Sequence, residues 1–519
     1  MNIDKTNIDE LKGYYACLRG ILEPASYSHP YPLDKEVRDV IDTLVLQDAD
    51  DDYRIFCYQT KIRELWSILL KKSIVCLRYF DTREPFQKKP GKEPHAYGIK
   101  DLADYYDRYT DFESTLYGSA SYYRDHVMHV FRVWLMGIIL LLRDNGKYLE
   151  LIKICEGYDF NNYEKLSIWT IIALTHDLGY PLEKSSQVIE KTREMMQFFV
   201  SNPTMSMDVS FSGVQDSMND FVLRFISSKM WEIDKETRKT KEYTKEEWQN
   251  EMLRRAGLDE NSCTEEQKLL RYVARLQPKY YFKFQKSLEH NQHGILSALI
   301  IYKILLYFLE SDYSLNEDYM FDYEDSRQFY IRREILRAMA SHTCKDIYQN
   351  DALTFSFLLI ICDDAQEWGR KNISQLYVND AKNYSFGGVN VDLKDISDIS
   401  IMDKYEVSKI DYLSSLLERY HAQCKEYRNL FRDGQDTSHR NFNFQRHLGI
   451  QSTIVNGLTD YLLTLVITTD EQTRVIVKKV DGSKFKDDDV LQEMLNKIFE
   501  KDGGTILNEE EKELKILIG

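Results

Sequence analysis

Five short segments hold the residues best suited to chemistry: His126-Val-Met-His129, His176-Asp177, His290-Asn-Gln-His293, His342 and Cys362-Asp363-Asp364. Six of the eleven histidines fall between positions 126 and 342, mostly inside apolar, helix-like stretches. Burying imidazoles and carboxylates among Ile, Leu and Phe is costly unless something compensates them. A divalent metal is the commonest compensation for a mixed His/Asp set.

Each segment also has a plainer reading. Adjacent His176 and Asp177 at a helix end can point two ligands at one metal, or one at each of two. Alone, they would serve equally well as a core histidine and a cap. His126 and His129 stand i,i+3 on an expected helix, so both can face one cavity. His290 and His293 repeat that spacing, and either single histidine could be an ordinary hydrogen-bonded residue. His342 closes the segment Ile-Leu-Arg-Ala-Met-Ala-Ser-His, where it could simply favour the helix dipole. Asp363 and Asp364 follow Leu358-Leu-Ile-Ile-Cys, which suggests a ligand with an outer partner, or a buried salt bridge to Arg370. Two histidine pairs around a His-Asp pair favour a shared site.

These residues must be positioned by helices. Tyr58–Leu77 has helix-type apolar spacing, and residues 1–115 read as a helical N-terminal layer. Between 120 and 370 the helix signal dominates, in Tyr122–Arg143, Leu166–Thr175, Gly294–Glu310, Arg332–Ser341 and Ala352–Cys362. Gly179 and Pro181 are expected to end the helix just after His176-Asp177. An insertion at about 185–289 interrupts the series, and its charged stretch Asp234–Asn250 reads as a solvated helix or loop. It is a candidate lid or specificity element, or plain packing. Beyond 371, Tyr405–Phe431 reads as an amphipathic helix and Val490–Phe499 as another. Tyr461–Thr468 and Arg474–Val480 read as a β-hairpin across Thr-Asp-Glu-Gln-Thr. The expected fold class is mainly α, a helical domain over 116–370 with a small α+β module over 371–519.

The chain has 519 residues and a net charge of −16. That balance argues against a sequence-independent nucleic-acid binder, although a local metal can still attract a small anion. The eight cysteines include no CxxC pair, so neither a zinc knuckle nor a dithiol site is indicated. The apolar runs Val133–Leu142 and Ala298–Leu309 are too short to span a bilayer, and the N-terminal residues lack an apolar signal region. A cytoplasmic protein without a membrane partner is expected.

The order His … His-Asp … His … His … Asp resembles the HD-domain superfamily of metal-dependent phosphohydrolases over roughly residues 120–370. Its most specific pieces are His129 with Val133 at +4, the segment Leu-Thr-His176-Asp177-Leu-Gly-Tyr-Pro, and Cys362-Asp363-Asp364-Ala-Gln-Glu-Trp-Gly-Arg370. The resemblance implies an all-α HD bundle with His129, His176, Asp177 and Asp363 as the basic metal set. It implies His293 and His342 as the extension to a second metal, with Asp177 bridging. The valine rule fits His126 as well, through Val130, but cyclic-nucleotide phosphodiesterases of this superfamily place an upstream histidine as proton donor. Their spacing is four and here it is three. His126 takes that donor role by resemblance, and Asp177 and Lys184 join it as catalytic candidates. Lys184, Arg124 and Arg370 are candidates to hold phosphate oxygens.

One or two divalent ions are implied, of Mn, Fe, Mg, Co, Ni or Zn, and the histidine-rich set disfavours a magnesium-only site. The implied substrate is a small anionic nucleotide, either a cyclic nucleotide or dinucleotide or a (deoxy)nucleoside triphosphate. A metal-dependent nuclease and a non-catalytic nucleotide-sensing module are the alternatives. The residues after His176-Asp177 match neither the triphosphohydrolase run Gly-His-Pro-Pro-Phe-Gly-His nor the full cyclic-dinucleotide HD-GYP signature, so the subfamily stays open.

Overall fold

The structure is a computed structural model that describes residues 54–81, 97–119, 126–155, 158–198, 214–233, 271–309, 315, 319–347, 353–366, 384–395, 398–430, 443–454, 459–468, 474–483, 489–499, 506–508 and 513–517. It is mostly helical, with a sheet module towards the C-terminus. Arg124, Arg370 and the stretch Asp234–Asn250 lie outside the described residues, as does the expected hairpin turn at 469–473.

The described residues of the N-terminal layer form two helices, α1 (Arg54–Phe80) and α2 (Ile99–Ser119). α1 buries Leu65, Trp66, Leu69, Leu70 and Ile74, the face its spacing predicts. Trp66 stacks on Tyr106 of α2, with ring centroids 4.0 Å apart. The Trp66 indole N–H donates to the Leu174 carbonyl at 2.7 Å, and the Tyr105 hydroxyl donates to the Leu178 carbonyl at 2.7 Å. Both bonds fasten this layer to the chain on either side of His176-Asp177.

The central helices are α3 (Val127–Leu151) and α4 (Asn162–Thr175). α3 starts five residues later than its spacing suggests, and His126 is its N-cap rather than an interior residue. A capping box between Asn161 and Glu164 fixes the start of α4, which is buried from Tyr163 to Thr175. α4 stops at Thr175 and leaves His176 as its C-cap. Gly179 then caps α5 (Tyr180–Met196), with Pro181 in its first turn. Proline suits that position because its missing N–H would have no helical partner there.

The described part of the insertion is integrated into the core. It contains the rest of α5, then α6 (Val214–Ile226), an antiparallel pair β1 (Ser228–Ile233) and β2 (Arg271–Leu276), and α7 (Pro278–Glu289). Val222, Leu223, Phe225 and Ile226 of α6 join the main core. The expected helix Gly294–Glu310 is broken at Leu305 into α8 (His293–Ile304) and α9 (Leu306–Leu309). α10 (Tyr323–His342) begins nine residues before the expected start, with Asp322 accepting from the Asp325 N–H at 2.7 Å. α11 (Phe355–Ala365) is capped by Thr354.

The C-terminal module is a seven-stranded sheet. Its strands are β3 (Tyr384–Asp395), β4 (Asp398–Val407), β5 (Asn443–Ser452), β6 (Thr459–Thr468), β7 (Arg474–Lys479), β8 (Ile506–Asn508) and β9 (Glu513–Leu517), in the order β3-β4-β5-β6-β7-β9-β8. Among the described residues only β4 and β5 pair in parallel, joined by α12 (Ile410–Leu430), as a parallel pair requires a crossover. The expected β6–β7 pairing is antiparallel with Tyr461 opposite Lys479. α13 (Val490–Phe499) follows β7. The expected helix from Tyr405 is corrected: Tyr405 to Val407 end β4, and the helix begins at Ile410.

Candidate metal centre

Four imidazoles and two carboxylates meet where α3, α8, α10 and α11 converge on the turn between α4 and α5. Their geometry divides into two halves. In the first, His129 Nε2 lies 2.8 Å from Asp363 Oδ1 and 3.7 Å from Asp177 Oδ2. His176 Nε2 lies 3.5 Å from Asp177 Oδ2 and 3.8 Å from Asp363 Oδ1. In the second, His293 Nε2 lies 3.3 Å and His342 Nε2 3.8 Å from Asp177 Oδ1. The two ring nitrogens stand 3.3 Å apart. Two ligands about 2.1 Å from a tetrahedral ion would stand roughly 3.4 Å apart. His129, His176 and Asp177 form one group able to hold an ion, His176, His342 and Asp363 another, and Asp177, His293 and His342 a third.

The far side of each ring shows why Nε2 faces inward. The Nδ1 of His129 donates to Gln366 Oε1, that of His176 to the Ala173 carbonyl at 2.8 Å, and that of His342 to the Met339 carbonyl at 2.6 Å. His293 Nδ1 donates to Glu183 Oε2 at 2.6 Å, and the same oxygen accepts the His293 backbone N–H at 2.9 Å. These partners accept only, so Nδ1 carries the proton and a neutral ring offers its Nε2 lone pair inward. Anchoring Nδ1 in this way is the usual support of a metal-bound histidine. The buried Nε2 of His176 has no hydrogen-bond partner, a cost that a cation would remove. The donor set therefore fits one or two divalent ions with mixed N/O ligation.

Electrostatics point the same way. Burial pushes the Asp177 carboxyl up, but His176, His293 and His342 outweigh it and hold the group well below its ordinary value. Burial likewise opposes the charge on Asp363, and His129 and His176 hold it well down. Glu183, despite burial, is brought down to about 2 by His293 and Lys184. Burial opposes charge on His293, yet Asp177 and Glu183 push it up to about 9. Burial lowers His342, helped by the neighbouring His176 and His293. The pocket holds its carboxylates ionised, and these in turn favour a proton on His176 and His293.

Two glycines allow the elements to close on one another. A Cβ on Gly179 would stand 2.4 Å from the His293 carbonyl oxygen and 2.6 Å from Leu296 Cβ. One on Gly294 would stand 2.5 Å from the Met339 carbonyl oxygen and 3.0 Å from His342 Cε1.

The remaining candidates are placed differently. His126 stacks on Tyr180 at 3.8 Å, its ring 6.0 Å from that of His129. Its backbone N–H donates to Glu113 Oε1 at 2.6 Å. Lys184 Nζ bonds Glu183 Oε1 at 2.7 Å and so supports the carboxylate behind His293. His290 does not share a face with His293. It is exposed at the end of α7, where Asn291 takes a φ of 51° and breaks the helical register. The alternative reading of the Asp363–Asp364 pair, a salt bridge to Arg370, lies outside the described residues. Asp364 accepts from Gln423 Nε2 and the Tyr427 hydroxyl, both at 2.6 Å, and pairs with Arg446 Nε at 3.3 Å.

Glu183, Gln366 and Glu113 are site residues that the sequence reading passed over. Gln366 was within reach, because it follows Asp363 by three residues where the helix was expected to end. Glu113 gives no comparable signal, since only the folded layer brings α2 to His126.

No protein-family model matches the chain, and no curated protein and no solved structure shows a significant match to it. No helix among the described residues is long and apolar enough to cross a membrane.

Proposed function

We propose that this chain is an HD-type metal-dependent phosphohydrolase, acting on a phosphoester or phosphoanhydride bond of a nucleotide. The observation that carries the reading is the Asp177 carboxylate, whose two oxygens face two separate histidine pairs. The order of those residues along the chain supports the superfamily, and the helices that deliver them support an HD bundle. His129, His176, Asp177 and Asp363 would hold one ion, and Asp177, His293 and His342 a second. Ions bound there would supply Lewis acidity and lower the pKa of water towards neutrality.

The chain's own groups have the remaining work. Asp177 orients both halves of the site. His126, stacked on Tyr180, would deliver a proton to a leaving oxygen, and an imidazole suits that task near neutral pH. Lys184 brings positive charge to the rim beside the second half. Arg124 and Arg370 remain candidates for phosphate oxygens. The strongly acidic overall charge favours a small anionic substrate over a nucleic acid.

The test is a screen of cyclic nucleotides, cyclic dinucleotides and (deoxy)nucleoside triphosphates with Mn²⁺ or Mg²⁺, with products identified. Release of triphosphate, or of a linear nucleotide from a cyclic one, supports the reading and names its branch. A protein that takes up no divalent ion after reconstitution would sink it.

A further inference from the structure

We propose that Arg446 is a positioning residue for the first half of the metal centre, so that the C-terminal sheet module sets how well Asp363 binds an ion. The inference rests on the metal reading above.

Asp363 sits in the last turn of α11, and a third of its side chain surface is accessible. Helix ends fray, so a ligand placed there needs outside support. Successive helical residues project about 100° apart. Asp363 can therefore point into the bundle while Asp364 points elsewhere, and the structure shows where. Three side chains from two elements of the sheet module hold Asp364: Gln423 and Tyr427 of α12 by hydrogen bonds, and Arg446 of β5 by an ion pair.

Arg446 is itself anchored. It is 1% exposed, its Nη2 donates to Asp403 on the neighbouring strand β4, and its Nη1 donates to the His447 carbonyl at 3.3 Å. The Tyr420 hydroxyl donates to the Arg446 carbonyl at 2.8 Å and accepts the Leu465 N–H at 2.8 Å, which ties this point of β5 to α12 and β6. A guanidinium wedged between two carboxylates has a fixed direction, unlike a lysine ammonium. The chain of contacts runs from the sheet through Arg446 to Asp364, and through one peptide bond to Asp363. Gln366, one residue past the helix, holds the same turn to His129. The last turn of α11 is thus clamped from the bundle and from the sheet. The second half of the site, His293 and His342, has no member on α11.

The geometry makes a directional claim: disturbing Arg446 should weaken the first ion and spare the second. Mn²⁺ binding to the full-length protein is measured by calorimetry and electron paramagnetic resonance, with His129→Ala and His342→Ala assigning the two steps. The variants are Arg446→Met, Arg446→Met/Asp403→Asn, which leaves no uncompensated carboxylate on β4, and Asp364→Asn, which keeps size and one acceptor should the others fail to fold. The expected result is a first step weakened about tenfold or more, as loss of outer partners commonly does, and a second step unchanged within about threefold. Equal weakening of both steps in a folded variant, or no change in either, would overturn the proposal. If the unaltered protein binds no Mn²⁺, the metal reading itself fails and this inference falls with it. If it binds two ions and the variants match it, only this inference fails.

Discussion

Asp177 Oδ1 lies 3.3 Å from His293 Nε2 while Asp177 Oδ2 faces the rings of His129 and His176. One side chain on the turn between α4 and α5 therefore serves both halves of the centre. Replacing it should not resemble replacing any other ligand. Asp177→Asn is expected to remove both ions, whereas Asp363→Asn should lose only the first and His342→Ala only the second. Metal content by elemental analysis after dialysis checks this. One retained equivalent in Asp177→Asn would show that the carboxylate does not bridge. Activity, where a substrate is found, should fall by about a thousandfold or more in Asp177→Asn, the scale seen when a central catalytic group is lost.

Glu183 supports His293 from behind, and its other oxygen takes Lys184. Glu183→Gln keeps the size but removes the charge that favours a bound ring. Its expected effect is about 10–100-fold weaker binding of the second ion with little change in fold. Competition titration with a chelator, compared between Glu183→Gln and the unaltered protein, reads this. Lys184→Met should have a smaller effect on metal affinity, because it acts one contact further out. A larger effect from Lys184→Met than from Glu183→Gln would reverse that ranking.

The helical frame was largely legible because its apolar spacing is strong. α1, α3, α4, α10 and α11 all overlap the stretches read as helix, with errors mainly at their ends. The convergent site was legible for the same reason, since each ligand lies at or near the end of such a helix. The sheet was harder. In β4 the buried face runs Ile399, Ile401, Asp403, Tyr405, Val407, and a charge occupies its middle position. In β5 Arg446 does the same. Each charge hides the alternation of its own strand, and only their pairing across the sheet makes both positions apolar in effect. His290 misled in the other direction, because spacing along the chain cannot reveal that Asn291 leaves the helix.

Metal uptake should depend on pH, with a sign that follows from His293. Its ordinary value of 6.5 is pushed up to about 9 in the metal-free protein by Asp177 and Glu183, against the opposing effect of burial. A raised value means that the protonated ring stabilises the metal-free fold fully below about pH 6.5, and that this contribution is lost as pH rises through about 9. An ion at Nε2 must displace the same proton. Affinity at the second half should therefore climb as pH rises from 6 towards 9, by up to about tenfold per unit for one displaced proton. Melting-temperature gain with Mn²⁺ or Co²⁺, measured at pH 6.0 to 8.5, should grow across the series. A gain that shrinks with pH would contradict the assignment of His293 as ligand.

Gly179 tests whether close approach, rather than ligand chemistry alone, builds the centre. A Cβ there would stand 2.4 Å from the His293 carbonyl oxygen and 2.9 Å from the Ser297 nitrogen, both backbone atoms of α8. Its own N–H donates to Ser297 Oγ at 2.8 Å, so the turn and the helix are already in contact. Its φ of −78° is ordinary, so alanine adds crowding without backbone strain. Backbone cannot move aside as a flexible side chain can, and α8 must shift to make room. Gly179→Ala is expected to cost about 1–3 kcal/mol of stability, the range for overpacking. Because the shift begins at His293, the second ion should weaken more than the first. Chemical denaturation of the metal-free protein and a two-step metal titration measure the two effects separately. Unaltered stability together with unaltered second-step binding would mean that α8 and the His176-Asp177 turn are further apart than the structure places them.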